Sequence, residues 1–474
     1  MSLGFAGIVA AITGLSVRAA NQVVIFGVTL VAAHFLAPAD FGVFAIASAA
    51  IALIRTLMYT GAFEYLLKAP PGEECPTECF LINIVLAVVL TAGLLVLAPA
   101  AKLAFGTPEV GRMLIFMAPS NLMSAFAAWQ ESQILRAKRI QAYYAITAIS
   151  EAVAGLGAVG LLIGHFGLMA LVGQVYLRTI VLMISYLILQ KPYWSGSLER
   201  HKLFDIFKWS SSRYGSTFVT FMAAYGADFF LGALLSPAAT GIYRASNRVV
   251  TAVADIFSHP TQILGAAIFS RLSSHRQSPR DIWPRIAGAS AFLGWSALAG
   301  LAAIADRAVP IVLGAQWSGS GLIIAILCAA RALSLVDAVT VPLLVAFDKS
   351  RAVFNVQLVT ALCSVPLLWF VARFGVAATA AGAVIISACS TLFYGRVCIR
   401  AFPGSADRLM QFAPIALLPP VITYLGAWIF LFAAPKMGDL HAVLFAIAAG
   451  ITAWLITAAI LRRSAMDALH ALNA

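Results

Sequence analysis

Two stretches of the chain read alike: "FLAPADFGVFAIAS" at residues 35–48 and "LLSPAATGIYRASN" at residues 234–247. Each holds a proline, a glycine four residues on, and an aromatic two residues later: Pro38, Gly42 and Phe44, then Pro237, Gly241 and Tyr243. Proline opens a helix where its missing N–H costs nothing. Glycine permits a tight turn or a close helix contact. Long apolar runs flank both stretches, so each reads as the hairpin between two membrane helices. One such hairpin is ordinary turn chemistry; two at matching places point to a duplicated architecture.

The composition agrees with a membrane chain. Of 474 residues, 62% are hydrophobic and 11% charged, against about 25% charged in soluble proteins. The sequence predicts an all-α polytopic membrane protein of about fourteen transmembrane helices, near residues 11–36, 41–67, 80–104, 111–134, 142–163, 168–189, 209–234, 242–268, 286–306, 319–346, 354–373, 376–395, 410–432 and 441–461. Each is long enough to cross a hydrocarbon core of about 30 Å. Twelve spans is the alternative if two assignments fail together. The first apolar stretch is too long for a signal peptide and lacks a cleavage pattern, so it reads as the first span.

Basic residues mark alternate connections. Arg136, Lys138 and Arg139 follow span 4; Lys191, Arg200 and Lys202 follow span 6; Arg271, Arg276, Arg280 and Arg285 follow span 8. Lys349 and Arg351, then Arg396, Arg400 and Arg408, then Arg462 and Arg463 continue the pattern. By the positive-inside rule both termini are expected in the cytoplasm. The net charge of +12 is thereby a topology signal, and no nucleic-acid partner is implied.

The matching hairpins fall between spans 1 and 2 and between spans 7 and 8. The expected organisation is a six-helix bundle at residues 1–190, a cytoplasmic linker at 191–208, a second six-helix bundle at 209–400, and spans 13 and 14 with a short tail at 401–474 as an appendage. An even number of spans per half relates the bundles by a pseudo-two-fold axis along the membrane normal.

Charged groups inside spans are costly and therefore informative. Arg18, Arg55, Arg178, Arg248 and Arg331 are expected to face the bundle interior or a water-filled cavity. Such a cationic cavity suits an anionic passenger such as a diphosphate. Asp228, Asp255 and Asp337 are candidates for ion coupling, or simply counter-ions to nearby arginines. Glu151 can pair with an arginine; Glu64, Glu131 and Arg213 fall nearer the cytoplasmic ends. Pro38, Gly42, Pro237 and Gly241 form the hairpins, as turns or as gates.

Other motifs are weak. "GLGAVG" at residues 155–160 lies inside an apolar run and reads as helix packing. No Walker motif, HExxH or GxSxG occurs, and Cys75 and Cys79 make a lone CxxxC without a nearby histidine. The reading is transport rather than catalysis, with no metal or cofactor.

The order of several stretches then resembles a known family. "LAPADFGVF" (36–44), "TECFLINIVL" (77–86), "FGTPEV" (105–110), "ILRAKRIQAY" (134–143) and "GADFFLGALLSPAATGIYRASNRVV" (226–250) resemble the bacterial polysaccharide transporter family. That family includes the O-antigen and exopolysaccharide flippases, within the superfamily shared with multidrug extruders and the lipid II flippase. "FEYLLK" (63–68) departs from it at Glu64. The resemblance implies a MATE/MurJ-like fold and a flippase of the inner membrane. Its cargo would be an undecaprenyl-diphosphate-linked oligosaccharide for lipopolysaccharide or exopolysaccharide biosynthesis, moved by alternating access with the five arginines holding the diphosphate. Na+ or H+ coupling is one way to drive the cycle. The implied partners are a polysaccharide polymerase and co-polymerase, and a monomer suffices for transport. A lipid II flippase and a multidrug cation antiporter are the alternatives.

Overall fold

The computed structural model describes residues 5–70, 75–194, 198–433 and 437–461. Arg462 and Arg463 lie outside the described residues, as does the side chain of Arg18. Among the described residues the structure is helical with no strand. The helices are α1 (Phe5–Phe35), α2 (Pro38–Met58), α3 (Ala62–Lys68), α4 (Pro76–Leu97), α5 (Ala101–Phe105), α6 (Pro108–Met117), α7 (Ser120–Arg136), α8 (Ile140–Ile163) and α9 (Leu168–Leu189). They continue as α10 (Arg200–Leu234), α11 (Pro237–Ser274), α12 (Ile282–Val312), α13 (Gly321–Ala346), α14 (Ser350–Ala372), α15 (Val376–Ala401), α16 (Ser405–Ala433) and α17 (Asp439–Ile460).

Every predicted apolar segment is helical. Eleven helical runs among the described residues are long and apolar enough to cross a membrane. The other three segments stand apart. In α1 the apolar run Ala20–Phe35 belongs to the part whose side chains are described. Segment 111–134 is split into α6 and α7 around Ala118 and Pro119. α11 carries Arg244, Arg248 and Asp255 within its apolar stretch.

Helix contacts divide the chain into two compact units, one closing at Gly241 and the other opening at Ile242. The sequence placed the division at the linker 191–208. α10, expected to open the second bundle, instead packs against α2, α3 and α4. Part of the reason is local. α2 ends in a break at Gly61, whose φ of +65° only glycine adopts without strain. The bare backbone there receives Tyr214 and Ser210 of α10. Glu64 pairs with Arg213 of α10 at 2.8 Å, and the Arg213 guanidinium lies 3.8 Å above the Trp209 ring. The linker is also shorter than expected, because helix resumes at Arg200. The Glu78 carboxylate accepts the Glu199 N–H at 3.1 Å, and Gln133 exchanges two hydrogen bonds with the Tyr193 backbone.

Within the first unit, α1 packs on α8, α8 on α9, α9 on α7, and α7 on α4. Cys75 and Cys79 are buried with Leu66, Trp129 and Ile206, as apolar filler. The two sequence-repeated hairpins meet in this unit. A methyl group on Gly42 would strike the Pro237 carbonyl, and one on Gly241 would strike the Pro38 carbonyl. The contact is reciprocal: each glycine yields its side-chain space to the first residue of the other helix. Such Cα–H to carbonyl approaches add small attractions to close packing.

In the second unit α12 is the hub, packed by α13, α16 and α17. The two C-terminal helices are thus integral to this unit rather than an appendage. Gly294 of α12 admits Leu335 and Phe257. The Trp283 indole donates to Thr340 Oγ1 at 3.2 Å. An apolar cavity of about 430 Å³ lies among α11, α12, α16 and α17, lined by Phe257, Leu301, Ile304, Ala427, Ile451 and Trp454.

Gly42→Ala and Gly241→Ala should each cost about 1–3 kcal/mol, because the clashing atoms are backbone and cannot swing aside. Both act on one contact, so the double variant should lose clearly less than the sum. Thermal unfolding of the four proteins in detergent checks this; strict additivity would separate the two glycines energetically.

Candidate functional site

The polar centre of the first unit is built around a broken helix. Proline has no N–H to give and its ring crowds the preceding turn. Pro119 therefore ends the run that began at Pro108, and α7 starts afresh at Ser120. A break in a span exposes carbonyl groups that need donors. Here side chains supply them. The Ser120 hydroxyl donates to the Met117 carbonyl at 2.6 Å. The Tyr176 hydroxyl, from α9, donates to the Phe116 carbonyl at 2.7 Å.

Arg55 of α2 points at this break. Its Nη2 donates to Ser120 Oγ at 2.9 Å and to Thr179 Oγ1 of α9 at 3.4 Å. Both partners are neutral. The Arg55 Nε is buried and has no hydrogen-bond partner. Arg55 thus presents a half-buried cation with spare donor capacity and, among the described residues, no carboxylate against it. A guanidinium in this state is suited to a bidentate anion.

Arg178, next to Thr179, is held differently. Its Nε lies 2.8 Å from Glu151 Oε2 of α8. The carboxylate is buried, while the arginine side chain is 42% exposed. Sequence reasoning paired Glu151 with an unspecified arginine; the structure selects Arg178.

One helical turn beyond Arg55, the Tyr59 hydroxyl donates to Glu131 Oε2 of α7 at 3.0 Å. The Tyr186 hydroxyl of α9 donates to the same oxygen at 3.3 Å. Tyr143 of α8 offers a third hydroxyl to this carboxylate. Sequence reasoning gave Glu131 no role beyond a position near a helix end. Three tyrosines on three helices share no sequence spacing, so nothing in the pattern marked the cluster. Pro119 inside an apolar run was the legible signal for the neighbouring break.

The remaining candidates are dispersed. Asp228 of α10 is buried, and its backbone carbonyl accepts from the Thr240 hydroxyl at 3.0 Å. In the second unit Arg331 donates to Asn247 Oδ1 at 3.2 Å, and half-buried Arg248 is the next residue of α11. Asp337 accepts from Ser390 at 2.9 Å. Asp255 accepts from Ser258 at 3.3 Å, with His259 Nε2 3.6 Å from its other oxygen. So Arg55 and Arg178 share one site, Arg331 stands beside Asn247 and Arg248 in another region, and the three aspartates occupy separate places. Arg18 lies on α1, which packs on α8. Among the described residues no cluster of His, Cys, Asp and Glu could hold a metal.

The fold is one shared with helical membrane transporters. Over 98% of its length the chain matches a lipid II flippase, MurJ, in an inward closed conformation, covering 99% of that chain with a TM-score of 0.75 at 13% identity. A multidrug resistance MATE family transporter in an inward-facing conformation matches 85% of the chain and 98% of its own, with a TM-score of 0.61 at 12% identity. At such identities the likeness shows the fold. The family is shown by sequence: the profile of the polysaccharide biosynthesis proteins matches residues 31–321, more than half of the chain, and the chain belongs to that family. It is also 21% identical over 342 residues to the succinoglycan biosynthesis transport protein ExoT of Rhizobium meliloti, a match covering 70% of this chain and 67% of the relative.

Glu151→Gln should lower stability by about 1–2 kcal/mol, the cost of a partly buried pair discounted for the exposure of Arg178. Adding Arg178→Gln should recover most of it, since the cation is then gone too. Thermal unfolding in detergent reads both; an unchanged Glu151→Gln would mean that the pair contributes nothing to the fold.

Proposed function

We propose that the protein is a flippase that moves an undecaprenyl-diphosphate-linked oligosaccharide across the inner membrane from the cytoplasmic to the periplasmic leaflet. One observation carries the reading: Arg55 offers a guanidinium without a carboxylate partner, its Nε unpartnered, at a broken span. Transporters use discontinuous helices to meet charged cargo. Arg55 grips the diphosphate and Arg178 assists, exchanging Glu151 for the cargo. Arg18, Arg248 and Arg331 are the further diphosphate-holding residues of this proposal. The tail needs an apolar path, and the cavity lined by Phe257, Leu301 and Trp454 offers hydrocarbon-like walls.

Transport proceeds by alternating access between two six-helix bundles, with Pro38, Gly42, Pro237 and Gly241 forming the outer gate. Both termini face the cytoplasm, a polymerase and co-polymerase act beside the monomer in the same membrane, and Asp228, Asp255 and Asp337 serve as counter-ions or coupling acids. The similarity to the succinoglycan biosynthesis transport protein ExoT supports an exopolysaccharide cargo. The fold shared with the lipid II flippase favours, as a second reading, a lipid diphosphate bearing a cell-wall precursor.

The test places fluorescent undecaprenyl-diphosphate oligosaccharide in one leaflet of liposomes containing the purified protein and follows its transfer. Arg55→Ala should slow transfer at least tenfold, and Arg178→Ala somewhat less, with folding unchanged. Lipid II and a cationic dye run in parallel. Transfer of lipid II alone would move the assignment to the second reading, and transport of the dye alone would discard the flippase.

A further inference from the structure

Glu131 is a buried carboxylate for which the flippase reading has no use. Its surroundings are unusual for an anion. The Tyr59 hydroxyl, just beyond α2, and the Tyr186 hydroxyl of α9 donate to it, and Tyr143 of α8 stands beside them. No lysine, arginine or histidine lies within ion-pair distance of it among the described residues. Arg178 acts on it electrostatically but is committed to Glu151 at 2.8 Å. α3 and α4, also packed on α7, set Tyr65, Cys75 and Cys79 around Trp129 instead. Glu131 also lies near the C-terminal end of α7, where the helix dipole opposes negative charge. Neutral donors ease such a carboxylate without neutralising it, so a proton is its natural ligand. A metal cation is poorly served, because the surrounding oxygens already direct their hydrogens at the carboxylate.

The place of this group adds a consequence. Tyr59 directly follows α2, and its N–H still donates to the Arg55 carbonyl at 3.1 Å, so the two side chains lie one turn apart on one side. Thr179, which holds Arg55, and Tyr186, which holds Glu131, lie seven apart on α9. Arg55 of α2 and Glu131 of α7 are therefore both held by hydroxyls of α9.

We propose that Glu131, with Tyr59, Tyr143 and Tyr186, forms a proton-binding site coupled to anion binding at Arg55, so that a proton and an anionic diphosphate cargo load together. When Glu131 takes a proton, a negative charge near the cationic site disappears and the anion binds more tightly. By linkage, anion binding raises proton affinity by the same factor. The anionic half of this inference rests on the proposed diphosphate cargo; the proton site itself does not.

The experiment uses the full chain in detergent and UDP-glucose as the probe. This diphosphate diester keeps its charge between about pH 5 and pH 8. Calorimetry in two buffers of different ionisation enthalpy gives affinity and proton uptake together. Wild type should bind roughly tenfold more tightly at the acid end and take up a proton on binding. Glu131→Gln should bind at the tight limit across the range with no uptake from this site. Tyr186→Phe and Tyr59→Phe remove donors to the carboxylate, so the midpoint should move to higher pH, by about tenfold in proton affinity. These two variants carry the test if Glu131→Gln does not fold. Equal pH dependence in wild type and Glu131→Gln would overturn the proposal. If UDP-glucose binds at no pH, the cargo reading falls, and infrared difference spectra decide the proton site alone. A carboxylic acid band that titrates in wild type, vanishes in Glu131→Gln and shifts in Tyr186→Phe supports it; no such band over that range overturns it.

Discussion

A peptide group in hydrocarbon must find its hydrogen bond inside the protein. That constraint, with each unsatisfied group costing several kcal/mol, decides most of what this chain does. It explains why the regular structure of the described residues is helix alone. It also makes the exception informative. The run from Pro108 to Arg136 is interrupted at Ala118 and Pro119, and the freed carbonyls of Phe116 and Met117 are taken by Tyr176 and Ser120. These hydroxyls are fixed by backbone demand first. Arg55 then uses one of them, so the site inherits its geometry from the repair of a helix break.

Charge follows the same logic with a different outcome for two neighbouring arginines. Arg178 is matched by Glu151, as expected for a cation inside a span. Arg55 is matched by hydroxyls alone. Hydrogen bonds to neutral oxygens stabilise a guanidinium but leave its charge in place. The first unit thus holds one neutralised arginine and one that keeps its field, side by side on the walls of the same break. One turn beyond Arg55, Tyr59 donates instead to the Glu131 carboxyl of α7, which Tyr186 also serves.

The fold was written in composition and periodicity, because burying a helix in lipid needs about twenty apolar residues and leaves an unmistakable run. Each predicted segment is helical, and the stretches around Pro38 and Pro237 also carried the family. The division into units was not legible. α10 follows the linker in sequence but is held by the Gly61 break and by Glu64, features that read as local irregularities in a single chain. Of the candidate site, Arg55 and Arg178 stood out as charges in apolar runs, and their shared site needed the fold. Ser120, Thr179 and Tyr176 are too common in helices to be singled out. Glu131 was passed over because its partners come from separate helices, and a network assembled only by packing has no spacing in sequence.

α2 draws these features together. It begins at Pro38, meets the facing hairpin through Gly42, holds Arg55 within its last turn and hands on to Tyr59 at its end. An uninterrupted helix of this length spans about 30 Å and moves as a rod. Gly42 and Arg55 are about 20 Å apart along it, at 1.5 Å per residue. The glycine contact leaves no slack, since backbone meets backbone on both sides. Parting the hairpins therefore cannot be absorbed locally by a side chain; it must tilt or slide the whole of α2. Any such displacement shifts Arg55 against Ser120 and Thr179, and Tyr59 against Glu131, at the same time. The Gly61 break limits how far the motion passes into α3. The rod thus ties the hairpin contact, the Arg55 guanidinium and the Tyr59 donor to Glu131 into one mechanical unit.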